Sequence, residues 1–140
     1  MPSRILVPMD GSPAALRALE LAGRRKQSAP GAVTILVLNV QPRLPPSRYV
    51  TRTMISDHYK LMSRLALRPA RSAAQRSGLE VSFHSLQGDP APSIVRFAKS
   101  KKCDEIIMGT RGRSRIASFV VGSVALRVVQ LAGVPVTLVK

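Results

Sequence analysis

Four short aliphatic runs constrain this chain more than any other feature: Ile5-Leu6-Val7, Val33 to Val40, Glu105 to Met108 and Pro135 to Val139. Within them apolar residues follow one another instead of alternating with polar ones. That pattern is expected of strands buried on both faces. The second run is also rich in β-branched residues, which fit a pleated, packed surface. A fifth run, Val81 to Gln87, alternates imperfectly and reads as a strand nearer a sheet edge.

Helical patterns separate the runs. Ser12 is a good N-cap, and Pro13 fits the first helical position. Ala15, Leu16, Leu19 and Ala22 then recur at helical spacing, which predicts a helix from Pro13 to about Lys26. A second helix is predicted from Ile55 to Ser77, with a face of Leu61, Leu65, Leu67, Ala70, Ala73 and Ala74. Pro69 lies inside it and predicts a kink or break. A short helix carries Ile94, Val95 and Ala98. The last carries Val124, Val128, Leu131 and Ala132, with Gly133 as a natural C-cap. The proline-rich stretch Gln41 to Arg48 is the longest irregular segment and a candidate flap.

Regular β-α alternation argues for an α/β fold: a parallel sheet with helices on both faces. With 140 residues, 45% hydrophobic content and no Ser/Gly linker, the chain suits a single domain over 1–140. Aromatics are only 4% and Trp is absent, so the core must be aliphatic. Ligands of such sheets bind beyond the carboxyl ends of the strands, where strand order reverses. Two loops meet that description: Pro8 to Ser12, and Gly109 to Ser123.

The second loop holds the chemistry. Gly109 and Gly112 are followed, nine residues on, by Gly122-Ser123. Glycines let backbone approach an anion closely, and the helix that follows adds unpaired N–H groups and the positive end of a dipole. Arg111, Arg113 and Arg115 can offer guanidinium forks to phosphate oxygens. Ser123 can hydrogen-bond a phosphate or cap the last helix, and Asp10 can meet a ribose hydroxyl, sit near Mg²⁺, or shape its own turn. The P-loop pattern and the dinucleotide fingerprint are both absent, since the first strand-to-helix turn has the single glycine Gly11. That argues against a P-loop NTPase and an ordinary NAD enzyme.

Taken together, Ile5 to Ser12, the Gly88-Asp89-Pro90 turn, Asp104 to Gly109, the glycine loop and the ending Val134 to Val139 resemble the universal stress protein family of the UspA type. The resemblance runs over essentially the whole chain, in order. It implies an open five-stranded sheet of order 3-2-1-4-5, a Rossmann-like fold of the adenine nucleotide alpha hydrolase kind. It also implies an ATP site, because the ATP-binding branch keeps the glycine pattern. Carried onto this chain, Gly109, Gly112, Gly122 and Ser123 cradle phosphates, Asp10 lies near the nucleoside and Val40 meets adenine. Pro8 and Met108 line the adenine and ribose pocket, and Arg111, Arg113 and Val124 complete the expected site. The implied function is an ATP-dependent sensor or regulator of the stress response; the exposed edge of Pro135 to Val139 predicts a two-fold homodimer paired through it, and the single cysteine suits a cytoplasmic setting.

Other classes are thinner. The formal net charge is +15 and arginine outnumbers lysine, which favours polyanions and keeps nucleic acid open as a partner. The basic residues are spread along the chain and form no tail. A slow ATPase or autokinase is a further alternative, but no catalytic base or activated nucleophile is visible. His58 and His84 are the only histidines and no cysteine cluster accompanies them, which argues against a protein metal site. Asp57 and His58 read as surface residues near a helix start. Cys103 is the single cysteine, so no intramolecular disulfide can form. The longest nearly uncharged stretch, Ile116 to Leu126, is too short to span a bilayer, and the N-terminus lacks a long apolar leader.

Overall fold

A computed structural model describes residues 3–45, 47–111 and 121–140. Nine elements alternate along them: β1 (Ser3–Pro8), α1 (Pro13–Ser28), β2 (Val33–Gln41), α2 (Arg52–Ser77), β3 (Ser82–Gln87), α3 (Pro90–Ser100), β4 (Glu105–Gly109), α4 (Ser123–Leu131) and β5 (Val136–Val139). The strands form one parallel sheet in the order β3-β2-β1-β4-β5. The expected order is therefore the observed one, and β3 is indeed an edge strand.

Each central strand is dry on both sides, as its unbroken apolar run requires. Ile5 and Val7 of β1, Ile35 and Val37 of β2 and Ile107 of β4 pack on one face with Ala15, Ala18, Leu19 and Ala22 of α1 and Leu67 and Ala70 of α2. Leu6, Leu36, Leu38, Ile106 and Met108 pack on the other with Ile94 and Phe97 of α3 and Ala125 and Val128 of α4. Alanines line α1, so that helix lies close to the sheet.

Five helix readings need correction. α2 runs through Pro69 without a break. Proline removes one intrahelical hydrogen bond, but burial of Ala66, Leu67, Ala70 and Ala74 around it holds the helix to the sheet. Thr51, not a residue nearer Ile55, opens α2: its hydroxyl accepts from the Met54 N–H at 3.1 Å. The buried face of α2 agrees at Leu67, Ala70 and Ala74 but differs in its first half, where Leu61 and Leu65 are exposed while Ile55 and Tyr59 are buried. In α4 the buried residues are Ala125 and Val128, whereas Val124 and Leu131 are exposed. Its C-cap is the extended Ala132, one residue before Gly133.

The base of the sheet is fastened by polar pairs. The Arg4 N–H donates to Asp104 Oδ2 and the Asp104 N–H to the Arg4 carbonyl, both at 2.8 Å. Glu105, unusual at a strand start, pairs with Arg25 of α1 and accepts from the Thr137 hydroxyl at 2.7 Å. It thereby ties β4 to a helix and to β5. Cys103 is buried, and burial is the main reason its thiol pKa is raised, with Arg4 acting in the opposite sense. Its two neighbouring lysines do not activate it.

Candidate functional site

Pairing of β1 with β4 brings their two carboxyl-end loops together, and a cavity of about 380 Å³ opens between them. That size falls in the usual range for small-molecule pockets.

The first wall is the turn after β1. Gly11 turns the chain at φ 84°, a conformation glycine adopts without cost. Asp10 Oδ1 accepts the Ser12 N–H at 2.8 Å, so the aspartate does shape its own turn. The Ser12 hydroxyl then caps α1, accepting from the Ala15 N–H at 3.3 Å. Such a cap stabilises a helix by about 1 kcal/mol. The peptide of Met9 is clamped by β2: its N–H donates to the Leu38 carbonyl at 2.7 Å, and its carbonyl accepts from Asn39 Nδ2 at 2.8 Å.

Asn39 is the organising residue of this wall. It is 2% exposed, the polar member of a buried run whose other residues are Ile35, Leu36, Val37 and Leu38. A buried amide must be satisfied on both ends. Its Oδ1 accepts from Gln41 Nε2 at 3.0 Å and from the Ser63 hydroxyl at 3.2 Å. One side chain thus joins β2, the β1 turn and α2 beside the cavity. The sequence signal for it was an Asn inside an unbroken apolar run.

The second wall grows from β4. The Thr110 N–H donates to the Val139 carbonyl at 2.8 Å, and the Thr110 carbonyl accepts the Gly122 N–H at 2.6 Å. The chain therefore leaves the sheet and comes back to one residue, Thr110. Gly112, Arg113 and Arg115, which the sequence places in the phosphate loop, lie outside the described residues. Gly122 is the N-cap of α4, and among the described residues no side-chain hydrogen bond caps that helix. Ser123 is the first helical residue, so it does not serve as the cap the sequence suggested. The N–H groups of this first turn and the positive end of the helix dipole adjoin the cavity.

The cavity brings together Pro8, Asp10, Val40, Met108, Gly109, Arg111, Gly122, Ser123 and Val124, all of the expected site residues that are described. Leu38, Asn39, Pro90, Ile94 and Thr110 also line it, and sequence reasoning did not single them out. The lining divides chemically. Leu38, Val40, Ile94 and Met108 form an apolar slot, while Asp10, Thr110, Arg111 and the start of α4 form a polar end. Such a division suits an amphiphilic ligand with a flat apolar part and an anionic tail. Among the described residues Asp10 is the only carboxylate in the lining, and no group of three or more metal-ligating side chains occurs. A divalent cation here would depend chiefly on oxygens brought by the ligand. No described helix is long and apolar enough to cross a membrane.

The profile of the Universal stress protein family matches residues 1–140. A universal stress protein of Methanocaldococcus jannaschii is 34% identical over 138 residues, covering 98% of this chain and 81% of that protein. The solved structure of a universal stress protein from Archaeoglobus fulgidus is 27% identical with a TM-score of 0.75, covering all of both chains. A structure from that organism in complex with dAMP is 24% identical with a TM-score of 0.71, covering 100% of this chain and 98% of the other. A family protein of Arabidopsis thaliana with AMP bound is 22% identical with a TM-score of 0.70, covering 99% and 92%. By this match over its whole length and by its strand order, the chain belongs to the universal stress protein family.

Proposed function

We propose that this protein binds an adenine nucleotide, ATP above all, in the cavity between β1 and β4, and that nucleotide occupancy is the state a partner reads during stress. The observation that carries this reading is the division of the cavity. An apolar slot bounded by Val40 and Met108 faces a helix start whose N-cap is a glycine, flanked by Gly109 and Gly122. Adenine occupies the slot against Val40, Met108 and Pro8. Asp10 lies at the level of the ribose. The phosphates run toward Gly109, Arg111, Gly122 and Ser123, with Gly112 and Arg113 of the connecting segment beside them; Mg²⁺, when present, travels with the triphosphate. Adenine nucleotides bound to structural neighbours support the ligand class. The protein acts as a cytoplasmic homodimer formed through the β5 edge.

Calorimetric titration with ATP, AMP and adenosine tests the site. Val124→Glu places a carboxylate in the first turn of α4, where the helix dipole welcomes it but a phosphate does not. The expected result is about tenfold weaker ATP binding, a change of about 1.4 kcal/mol, with adenosine affinity little altered. Absence of binding at millimolar ATP would refute the proposal.

A further inference from the structure

A second depression, about 620 Å³, lies on the opposite flank of Asn39 and Ser63, between α2 and the β3 end of the sheet. Arg43, Lys60, Arg64 and Arg71 line it, and no acidic residue does. Among the described residues none of these four cations takes part in an ion pair. Lys60, Arg64 and Arg71 are spaced four and seven residues apart along α2, so they rise along one helical stripe. Eleven residues of helix place the ends of that stripe about 16 Å apart. One strand of a nucleic-acid duplex presents about five phosphates over such a length.

We infer that this groove is a docking site for the phosphate backbone of a nucleic-acid duplex, bound without regard to sequence. The aromatic groups nearby decide between duplex and single strand. Tyr59 is buried, with its hydroxyl accepting from the Leu44 N–H, and the Arg71 guanidinium sits 4.3 Å from the Phe83 ring centroid. Neither ring is left open as a stacking platform, which single-strand binding needs. The formal charge of +15 adds a long-range field that draws a polyanion in. This inference stands apart from the nucleotide site, since none of the four cations lines that cavity.

Binding to a fluorescent mixed-sequence DNA duplex, measured against salt, tests it. Four phosphate contacts predict that log K falls with log salt with a slope of about −3 to −4. Lys60→Gln/Arg64→Gln should flatten that slope by about 2. Arg96→Gln/Lys99→Gln removes the same charge from α3, on the other face of the sheet, and should leave the slope unchanged. In the unaltered protein, bound duplex should shield Lys60 from acetylation while Lys99 stays reactive, a readout that does not depend on any variant folding. Four results would each overturn the inference: no duplex binding at low salt, equal flattening in both double variants, equal competition by polyglutamate, or tighter binding of single strands.

Discussion

Gly109 ends β4 with its backbone against the first turn of α1. A Cβ there would lie 2.8 Å from Ala14 Cβ and 2.9 Å from the Ala14 carbonyl carbon. Neither is the movable end of a flexible side chain, so strand or helix would have to shift. Gly109→Ala should therefore destabilise the fold by about 1–3 kcal/mol, the usual range for overpacking. Urea denaturation would read this as a lower midpoint at unchanged slope, and an unchanged midpoint would contradict the close approach. The sequence marked this glycine for an anion's sake; the structure adds a packing reason that requires no ligand. Asn39 was overlooked for the converse reason. Its place in an apolar run was legible, but its three partners come from β1, β2 and α2, and no sequence spacing predicts such a meeting. His84 likewise shows its environment only in the fold. Burial, with Lys101 adding to it, lowers its pKa, and its ring tilts against Phe97 at a centroid distance of 5.1 Å.

Strands were the most legible elements, because burial on both faces leaves an unbroken apolar signature in β1, β2 and β4. Helix starts were legible at Ser12, where a capping hydroxyl is followed at once by Pro13, and less so at Thr51, whose cap the sequence reading missed. Which helix face is buried was least legible. Leu61 and Leu65 fit an apolar stripe, yet the buried residues of α2 are Ile55, Tyr59, Ala66, Leu67, Ala70 and Ala74, of which Leu67 and Ala70 pack on the sheet. Small residues fix a close approach as surely as large ones fix a core. Pro69 shows how packing overrides a local rule. Position 69 cannot donate to the Leu65 carbonyl, yet α2 continues for eight more residues to Ser77. Pro69→Ala should restore that bond and stabilise the protein by about 1–3 kcal/mol, the penalty of an interior proline less its benefit in the unfolded chain. A rise in the denaturation midpoint is the expected outcome, and a fall would mean that the proline shapes the sheet-facing curve of the helix.

At the scale of the whole molecule, β5 is an edge strand whose four residues are each half-buried, and α4 beside it exposes Leu126 and Val129 at 50% and 46%. An unpaired edge beside exposed aliphatic side chains is a surface that association would cover. Two copies each carrying +15 repel, and salt screens that repulsion over about 8 Å at physiological ionic strength. Light scattering should accordingly find a dimer that strengthens as salt is added. Leu126→Asp/Val129→Asp should give a monomer of unchanged fold, whereas a monomeric unaltered protein at every salt concentration would exclude the assembly. The same architecture separates frame from payload. Because the Thr110 backbone takes its partners from Val139 and Gly122, the frame closes upon itself at one residue. Doubling the length of such an excursion costs only about 0.6 kcal/mol in closure entropy. Lengthening or shortening that excursion should therefore weigh little on the sheet beneath it, as a frame indifferent to its inserts.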